Sequence, residues 1–369
     1  MEYTQFGNTG LQVSRFGLGC MRFPKDQKEA VKMVRYAIEN GVNYLDTAYV
    51  YSGSEATVGT ALRGGYRNNV YIAAKSPIWN IHKHQDFEKY LDVELKRLGT
   101  DVIDVYLLHN LDPGNWKKVK RHDGLSFLDK MIKKGKIRHK GFSIHSTAQA
   151  FREISDAFDW EIAQIQLNIL DEAQQVGLEG LQYGAFKGMG MVVMEPLRGG
   201  SLLNRIPPEV QGLMDTYPEK RSLVEWCFRW LYNMHEVSLI LSGTSSLEQL
   251  QDNLRIFENS KPGVMTEEDI KLIHAIRDAY ESKKSIGCTG CRYCMPCPAG
   301  VAIPEIFKLY NSYQIVKPHS IDKVVYRDTI VPSAAGADRC VACGDCVKHC
   351  PQKLPVPELL KKVHTELYK

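Results

Sequence analysis

The chain has 369 residues, 44% hydrophobic and 24% charged, with a formal net charge of +4, a profile that excludes a disordered or fibrous protein and leaves room for about two globular domains. Its bases are scattered, and the short clusters at 117–121 and 133–140 read as solvated surface, which excludes a nucleic-acid footprint. No run approaches the ~18 consecutive apolar residues of a membrane span, and MEYTQFGNTG has neither the charged nor the apolar region of a signal peptide, so a cytoplasmic protein with no membrane partner is expected.

Residues 3–13, YTQFGNTGLQV, read as a hairpin turned at Asn8-Thr9-Gly10. Short apolar strands then alternate with amphipathic helices. The strands are expected at 16–20, 43–45, 70–74, 102–108, 140–143, 162–167, 191–194 and 238–241. The helices are expected at 27–39, 54–62, 86–98, 125–134, 147–155, 178–187, 220–232 and 246–257. Strand-helix alternation over about 250 residues predicts parallel strands, and eight units predict an α/β fold closed into a (β/α)8 barrel. The hairpin would then cover its bottom. An open doubly wound sheet is the rival, but GCMRFP follows the first strand where a G-x-G-x-x-G turn would stand.

Three successive strands end on residues that move protons. NYLDTAYVYSGSE carries Asp46 and, five residues on, Tyr51; VYIAAKSP carries Lys75; DVIDVYLLHNL carries His109. Catalytic residues of such barrels come from the ends of different strands at one face. Free tyrosine keeps its proton to about pH 10, so a tyrosine acting as general acid near neutrality is expected to have a Lys⁺ beside it to lower that value. Asp46 would hold the lysine charged, and His109 would hydrogen-bond a substrate oxygen or relay a proton. Taken singly, each has a plainer use: Asp46 as a helix cap, Tyr51 as a half-buried aromatic, Lys75 as a solvated strand end, His109 as a structural histidine.

A helical stretch at 266–284 leads into a different composition. Residues 21–287 hold one cysteine, Cys227, whereas eight of the ten lie between Cys288 and Cys350. This predicts a barrel domain over 1–282 and a cysteine domain over 283–369. CTGCRYCMPCP supplies Cys288, Cys291, Cys294 and Cys297, and CVACGDCVKHCP supplies Cys340, Cys343, Cys346 and Cys350. The second run has the bacterial ferredoxin spacing C-x2-C-x2-C-x3-C-P, and the first is one residue shorter in its last gap. Two runs predict two [4Fe–4S] clusters, each taking three cysteines of one run and the last of the other. Zinc also uses C-x2-C pairs but has no evident use for a third close cysteine, and disulfides fit a cytoplasmic chain poorly. The 42 residues between the runs include a helical pattern at 302–316, a spacing that resembles the α-helical ferredoxins.

The barrel portion resembles the aldo-keto reductases. The resemblance rests on FGLGCM, on DTAYVYSGSEATVG, on AAKSP and LLHN, and on GFS, QIQLN, PLRGG and SGTSSLEQLQDN further along. It implies a nicotinamide nucleotide held without a Rossmann fold, interconversion of a small-molecule carbonyl and alcohol, and Asp46, Tyr51, Lys75 and His109 as the catalytic tetrad. It also implies Ser143 and Gln164 at the nicotinamide carboxamide, with Gly19, Cys20, Met21 and Met194 nearby. Pro196, Leu197, Gly199 and Ser201 would follow the pyrophosphate, and Gly243, Glu248, Gln249 and Asn253 would lie toward the adenine. The segment 243–249, GTSSLEQ, has no Arg or Lys for a 2′-phosphate, so NAD is at least as well supported as NADP, with Arg198 and Arg255 as substitutes. Trp79, Trp116, Met21 and His145 are candidates for the substrate pocket.

Two other functions stay open beside the carbonyl reductase. In one, the clusters relay electrons to a redox protein partner, although a nicotinamide gives two electrons and a cluster takes one. In the other, the cluster domain is a structural, docking or oxygen-sensing appendage.

Overall fold

The structure is a computed structural model. It describes every residue except Gln174, Ser201, Asn204, Arg205, Lys283, Lys284, Thr289, Cys291, residues 317–320 and Pro351, together with the side chains of Ser312, Ile315, Val316 and Ile321. The chain divides into two compact units, Met1–Gly200 with Arg221–Ile270 and Ser201–Lys220 with Lys271–Lys369.

The first unit opens with an antiparallel hairpin, β1 (Tyr3–Gln5) and β2 (Gln12–Ser14). Eight parallel strands follow: β3 (Phe16–Gly19), β4 (Tyr44–Asp46), β5 (Tyr71–Ser76), β6 (Ile103–Leu108), β7 (Ile137–Ile144), β8 (Ile162–Gln166), β9 (Gly190–Met194) and β10 (Leu239–Gly243). They close into a barrel in which β10 pairs with β3. Every expected strand is present. The clearest boundary error is β7, which begins three residues early because Arg138 and His139 mask its apolar pattern. Those two are satisfied at the strand's start: Arg138 meets Asp104 at 2.8 Å and His139 meets Glu161 at 2.7 Å.

Alternate strand residues fill the barrel: Tyr44, Ala73, Val105, Leu107, Ile162, Val192, Leu239 and Leu241 form one cluster with Phe6 and Val13. A filled interior of this kind makes the barrel a packed core and not a pore. Phe6 comes from the hairpin and meets Tyr44 edge-on at 5.6 Å. A Cβ on Gly190 would sit 2.4 Å from the Phe6 ring, so glycine there is what lets the hairpin close the bottom.

The helices used below are α1 (Gln27–Glu39), α2 (Ser54–Ala61), α3 (Gln85–Leu98) and α4 (Pro113–Arg121). The helix α4 stands where only a basic surface stretch was expected. Its start signals are explicit: Asp112 accepts from Asn115 N at 2.7 Å, and Pro113 occupies the first turn, where its missing N–H costs nothing. The expected helix at 125–134 is Gly124–Lys133. A Cβ on Gly59 of α2 would lie 2.5 Å from the Leu98 carbonyl of α3, so these two helices touch at backbone distance.

The second unit is helical among its described residues, as the resemblance to α-helical ferredoxins implies. Pro208–Thr216, Ile303–Val316 and Val356–Tyr368 are its longer helices, with most of the helix Glu267–Ser282. The helix at 208–216 was not anticipated. Val301, Ile306, Phe307, Tyr310, Tyr326, Leu360 and Val363 form its core, and Cys288, Cys294, Cys297, Cys340 and Cys346 pack against that core. Among the described residues, no helix is long and apolar enough to cross a membrane.

Candidate active site and cysteine centre

The barrel brings the four proton-handling residues to the carboxyl ends of β4, β5 and β6. Asp46 is the last residue of β4, and Lys75 is the fifth residue of β5. The Lys75 ammonium, fully buried, donates to Asp46 Oδ1 at 2.6 Å and to the Thr47 carbonyl at 2.8 Å. It lies 5.1 Å from the Tyr51 ring centroid. His109 follows β6, edge-on to Tyr51 at 6.1 Å and against Trp79 at 5.1 Å.

Burial pushes the Lys75 ammonium down, but Asp46 and Tyr51 more than restore it, so the lysine stays charged. Burial raises Asp46, and Lys75 opposes that rise; a 2.6 Å charge-assisted bond favours the ion pair. Removing one partner of such a pair strands a buried charge. Asp46→Ala is therefore expected to cost ~3–5 kcal/mol of stability, measured as a shift in the urea midpoint at unchanged slope; a loss below ~1 kcal/mol would mean that the pair is not ionised. Burial also raises the Tyr51 phenol, and the lysine pulls against it without prevailing. The expectation of a lowered tyrosine is thus reversed: removal from water outweighs the single cation, and the phenol is proton-loaded. His109 is held down to about 3 by burial, then by Lys75 and His145. It is a neutral imidazole, and its Nδ1 is buried without a hydrogen-bond partner among the described residues.

In the second unit, Cys288, Cys294 and Cys350 line one recess with Ile303, Pro304, Phe307, Leu354 and Val356. It thus joins two cysteines of the first run to the last of the second. Burial raises the Cys346 thiol, and the approach of Cys340 and Cys343 raises it further, so three cysteines of the second run lie together. Cys291 lies outside the described residues. Three thiols around an apolar recess suit soft iron–sulfur ligation.

Comparison with known proteins turns this geometry into a family assignment. Residues 15–278 match the aldo/keto reductase family, and residues 287–354 match a 4Fe-4S dicluster domain. The chain belongs to the aldo/keto reductase family. An uncharacterised oxidoreductase of Schizosaccharomyces pombe is 28% identical over 295 residues, covering 74% of this chain and 92% of that one. Another, from Bacillus subtilis, is 29% identical over 229 residues, 55% of this chain and 68% of its own. The holo form of an aldo-keto reductase from Bacillus halodurans superposes with a TM-score of 0.64 at 26% identity, over 75% of this chain and 96% of that one.

A reductase of this family uses a nicotinamide nucleotide, and several of the remaining predicted residues, Gly19, Met194 and Gly243 among them, end barrel strands at the face that carries Asp46. Ser143 and Gln164 face each other in the β7–β8 register. Ser143 Oγ accepts from Asn110 N at 2.9 Å. Gln164 is buried; its amide nitrogen lies 3.5 Å from Met194 Sδ, and its carbonyl oxygen has no partner among the described residues. A buried acceptor left without a donor is costly, and a carboxamide N–H is the complement it lacks. The residues therefore fit a nicotinamide. Gly19 ends β3 between Asp46 and Gly243, which end β4 and β10. Cys20 is buried with its thiol pushed far up, and Met21 is exposed. Pro196, Leu197 and Gly199 follow β9, while Ser201 lies outside the described residues.

On the far side, Ser246 caps the helix Leu247–Ile256, accepting from Gln249 N at 3.3 Å, and Gln249 Oε1 accepts from Ser245 N at 3.0 Å. Gln249 thus serves the helix start in the manner of a capping box. Asn253 is buried and donates to Ser242 Oγ at 3.1 Å, whereas Glu248 is exposed. Arg198 is 3.2 Å from Asp171, and Arg255 is 2.9 Å from Asp252. Trp79 borders His109, Trp116 is buried in α4, and His145 is exposed.

Sequence reading missed Arg22, whose guanidinium donates to the Gly199 carbonyl at 2.6 Å. Its signal was present, since Arg22 directly follows the strand-end motif FGLGCM. It also missed Thr47 and Ser54, whose hydroxyls meet at 2.7 Å while Ser54 Oγ donates to the Cys20 carbonyl at 2.7 Å.

Proposed function

We propose that this reductase interconverts a small-molecule carbonyl and its alcohol, with Tyr51 as general acid and base, Lys75 and Asp46 setting its charge environment, and His109 orienting the substrate oxygen. The observation that carries this reading is the buried ammonium of Lys75, fixed on Asp46 and beside the ring of a proton-loaded Tyr51. Bound nicotinamide would supply or accept the hydride. The chain's own residues do the rest. Tyr51 gives its proton to the substrate oxygen as negative charge develops there. Lys75, held charged by Asp46, stabilises the phenolate left behind. His109, being neutral, offers its N–H to the same oxygen without competing as an acid. Trp79 walls the His109 side of the site.

We assign residues 1–282 to the reductase and 283–369 to two [4Fe–4S] clusters, one on Cys288, Cys291, Cys294 and Cys350, the other on Cys340, Cys343, Cys346 and Cys297. NAD is the favoured nucleotide, because Arg198 and Arg255 are engaged with carboxylates and the β10 loop has no base. Arg22, at the Gly199 carbonyl, is the cation placed for the pyrophosphate, which both nucleotides share.

The test starts with anaerobic protein, to which NADH and then NADPH are added with a series of aldehydes and ketones. Turnover with a kcat/KM for NADH roughly tenfold or more above NADPH is expected. A preference for NADPH would sink the nucleotide assignment, and no turnover of any carbonyl would sink the reaction. Bleaching of the cluster absorbance by NADH alone would replace this reading with an electron relay.

A further inference from the structure

Behind the β5–β6 wall lie two buried carboxyl groups that the proton-transfer chemistry does not use. Glu55, on α2, is 2% exposed and Glu94, on α3, is 0% exposed. Glu94 Oε2 accepts the Tyr106 hydroxyl at 2.5 Å, and Glu55 Oε2 accepts the Arg97 guanidinium at 2.9 Å. The other oxygen of each, Oε1, has no donor among the described residues, and the two carboxyl groups approach within hydrogen-bonding reach of each other. Ionised carboxylates only accept, so one proton must lie between them. Burial, then the charge of Glu55, raises Glu94 well above the usual carboxylate range, and burial raises Glu55 as well.

The chain of bonds continues toward the active site. Arg97 donates to the Tyr49 carbonyl at 3.2 Å and covers the Tyr49 ring at 4.5 Å. Tyr49 lies two residues before Tyr51. On the other side of the same loop, Ser54 ties the start of α2 to Thr47 and Cys20, and the Thr47 carbonyl receives the Lys75 ammonium. The segment 47–53 that carries Tyr51 is therefore gripped at both ends. One grip runs through the carboxyl pair to Tyr106 in the barrel wall. The charged and titratable groups facing the pair are Tyr106 from β6, Lys75 from β5 and Arg97 from α3.

We propose that Glu55 and Glu94, sharing one proton, are positioning residues that hold the Tyr51 loop in register with Lys75 and His109. The inference rests on the assignment of Tyr51 as proton donor made above. Glu94→Gln keeps an amide donor toward Glu55 and a carbonyl for Tyr106, whereas Glu94→Ala removes both. Glu94→Ala is expected to lower kcat roughly 10- to 100-fold, the scale of a misplaced reacting group, with the Kd for NADH unchanged; Glu94→Gln should stay within about threefold of the parent. The tyrosine difference spectrum against Tyr51→Phe, followed through alkaline pH, should show the Tyr51 titration displaced in Glu94→Ala and retained in Glu94→Gln.

A folded Glu94→Ala protein with unchanged kcat and unchanged Tyr51 titration would overturn the proposal, as would a Glu94→Gln protein as damaged as Glu94→Ala. If Glu94→Ala does not fold, Arg97→Met removes the grip on Tyr49 from a half-exposed position, and the same two readouts decide. If the parent turns over no carbonyl, the proposed reaction fails, and the Tyr51 titration alone decides whether the pair positions that loop.

Discussion

Tyr51→Phe is expected to lower kcat for carbonyl reduction by about 10²–10⁴-fold, the range supplied by a positioned general acid, with nucleotide affinity and cluster colour unchanged. The phenylalanine ring keeps the contacts with His109 and Lys75 but has no proton to give. The effect should fall on kcat and kcat/KM together, because the lost interaction is made only in the transition state. Steady-state kinetics with the best carbonyl substrate, beside a nucleotide titration, checks this. Activity within tenfold of the parent would remove Tyr51 from the reaction.

The pH profile carries a second mark of the same site. His109 is depressed to about 3, below the ordinary histidine value of about 6.5. Its neutral form prevails through the range of assay, so it contributes no acidic limb to the rate between about pH 5 and 8. For stability the sign is that of a depressed group. The contribution is full above the unfolded value near 6.5 and is lost as pH falls toward about 3, because the unfolded chain takes up a proton that the fold refuses. His109→Asn, which cannot titrate, should flatten that acid loss in melts taken across the range.

Cys350→Ser is expected to halve the iron of the protein, from about eight to about four atoms per chain, as for a two-cluster ferredoxin that loses one cluster. Cys350 is the last cysteine of its run, but it faces Cys288 and Cys294 across the recess. The cluster lost should therefore be the one assigned to the first run. Cys288→Ser should produce the same spectrum, and Cys343→Ser a different one, since Cys343 belongs with Cys340 and Cys346. Iron and sulfide analysis with electron paramagnetic resonance of the dithionite-reduced protein reads this. If Cys350→Ser and Cys343→Ser remove the same signal, the crossed pairing is wrong. If the parent holds zinc and no iron, the cluster assignment fails with it.

Much of this protein is legible in its amino-acid sequence. Eight apolar segments between amphipathic helices fix a parallel barrel, because each strand is buried on both faces and reads as a short apolar run. The cysteine runs are as plain, because ligand spacing is a property of neighbouring residues. The helix α4 is hidden behind KKVKR, where charge masks periodicity, although its aspartate cap and proline are in view. The start of β7 is hidden for the same reason, since Arg138 and His139 are satisfied by Asp104 and Glu161 from elsewhere in the chain.

What sequence determined by itself was the set of local facts: the strand ends, the identity of Asp46, Tyr51, Lys75 and His109 there, and the two thiol runs. Tertiary structure alone decided the balances that depend on distance and burial. The Tyr51 phenol is raised because removal from water exceeds the pull of one lysine. Arg198 and Arg255 are engaged because Asp171 and Asp252 stand beside them. Glu55 and Glu94, 39 residues apart, meet only because α2 and α3 pack at backbone contact behind the wall. Local pattern encodes which group sits where along the chain, but the dielectric around a group and the partner across from it belong to the fold.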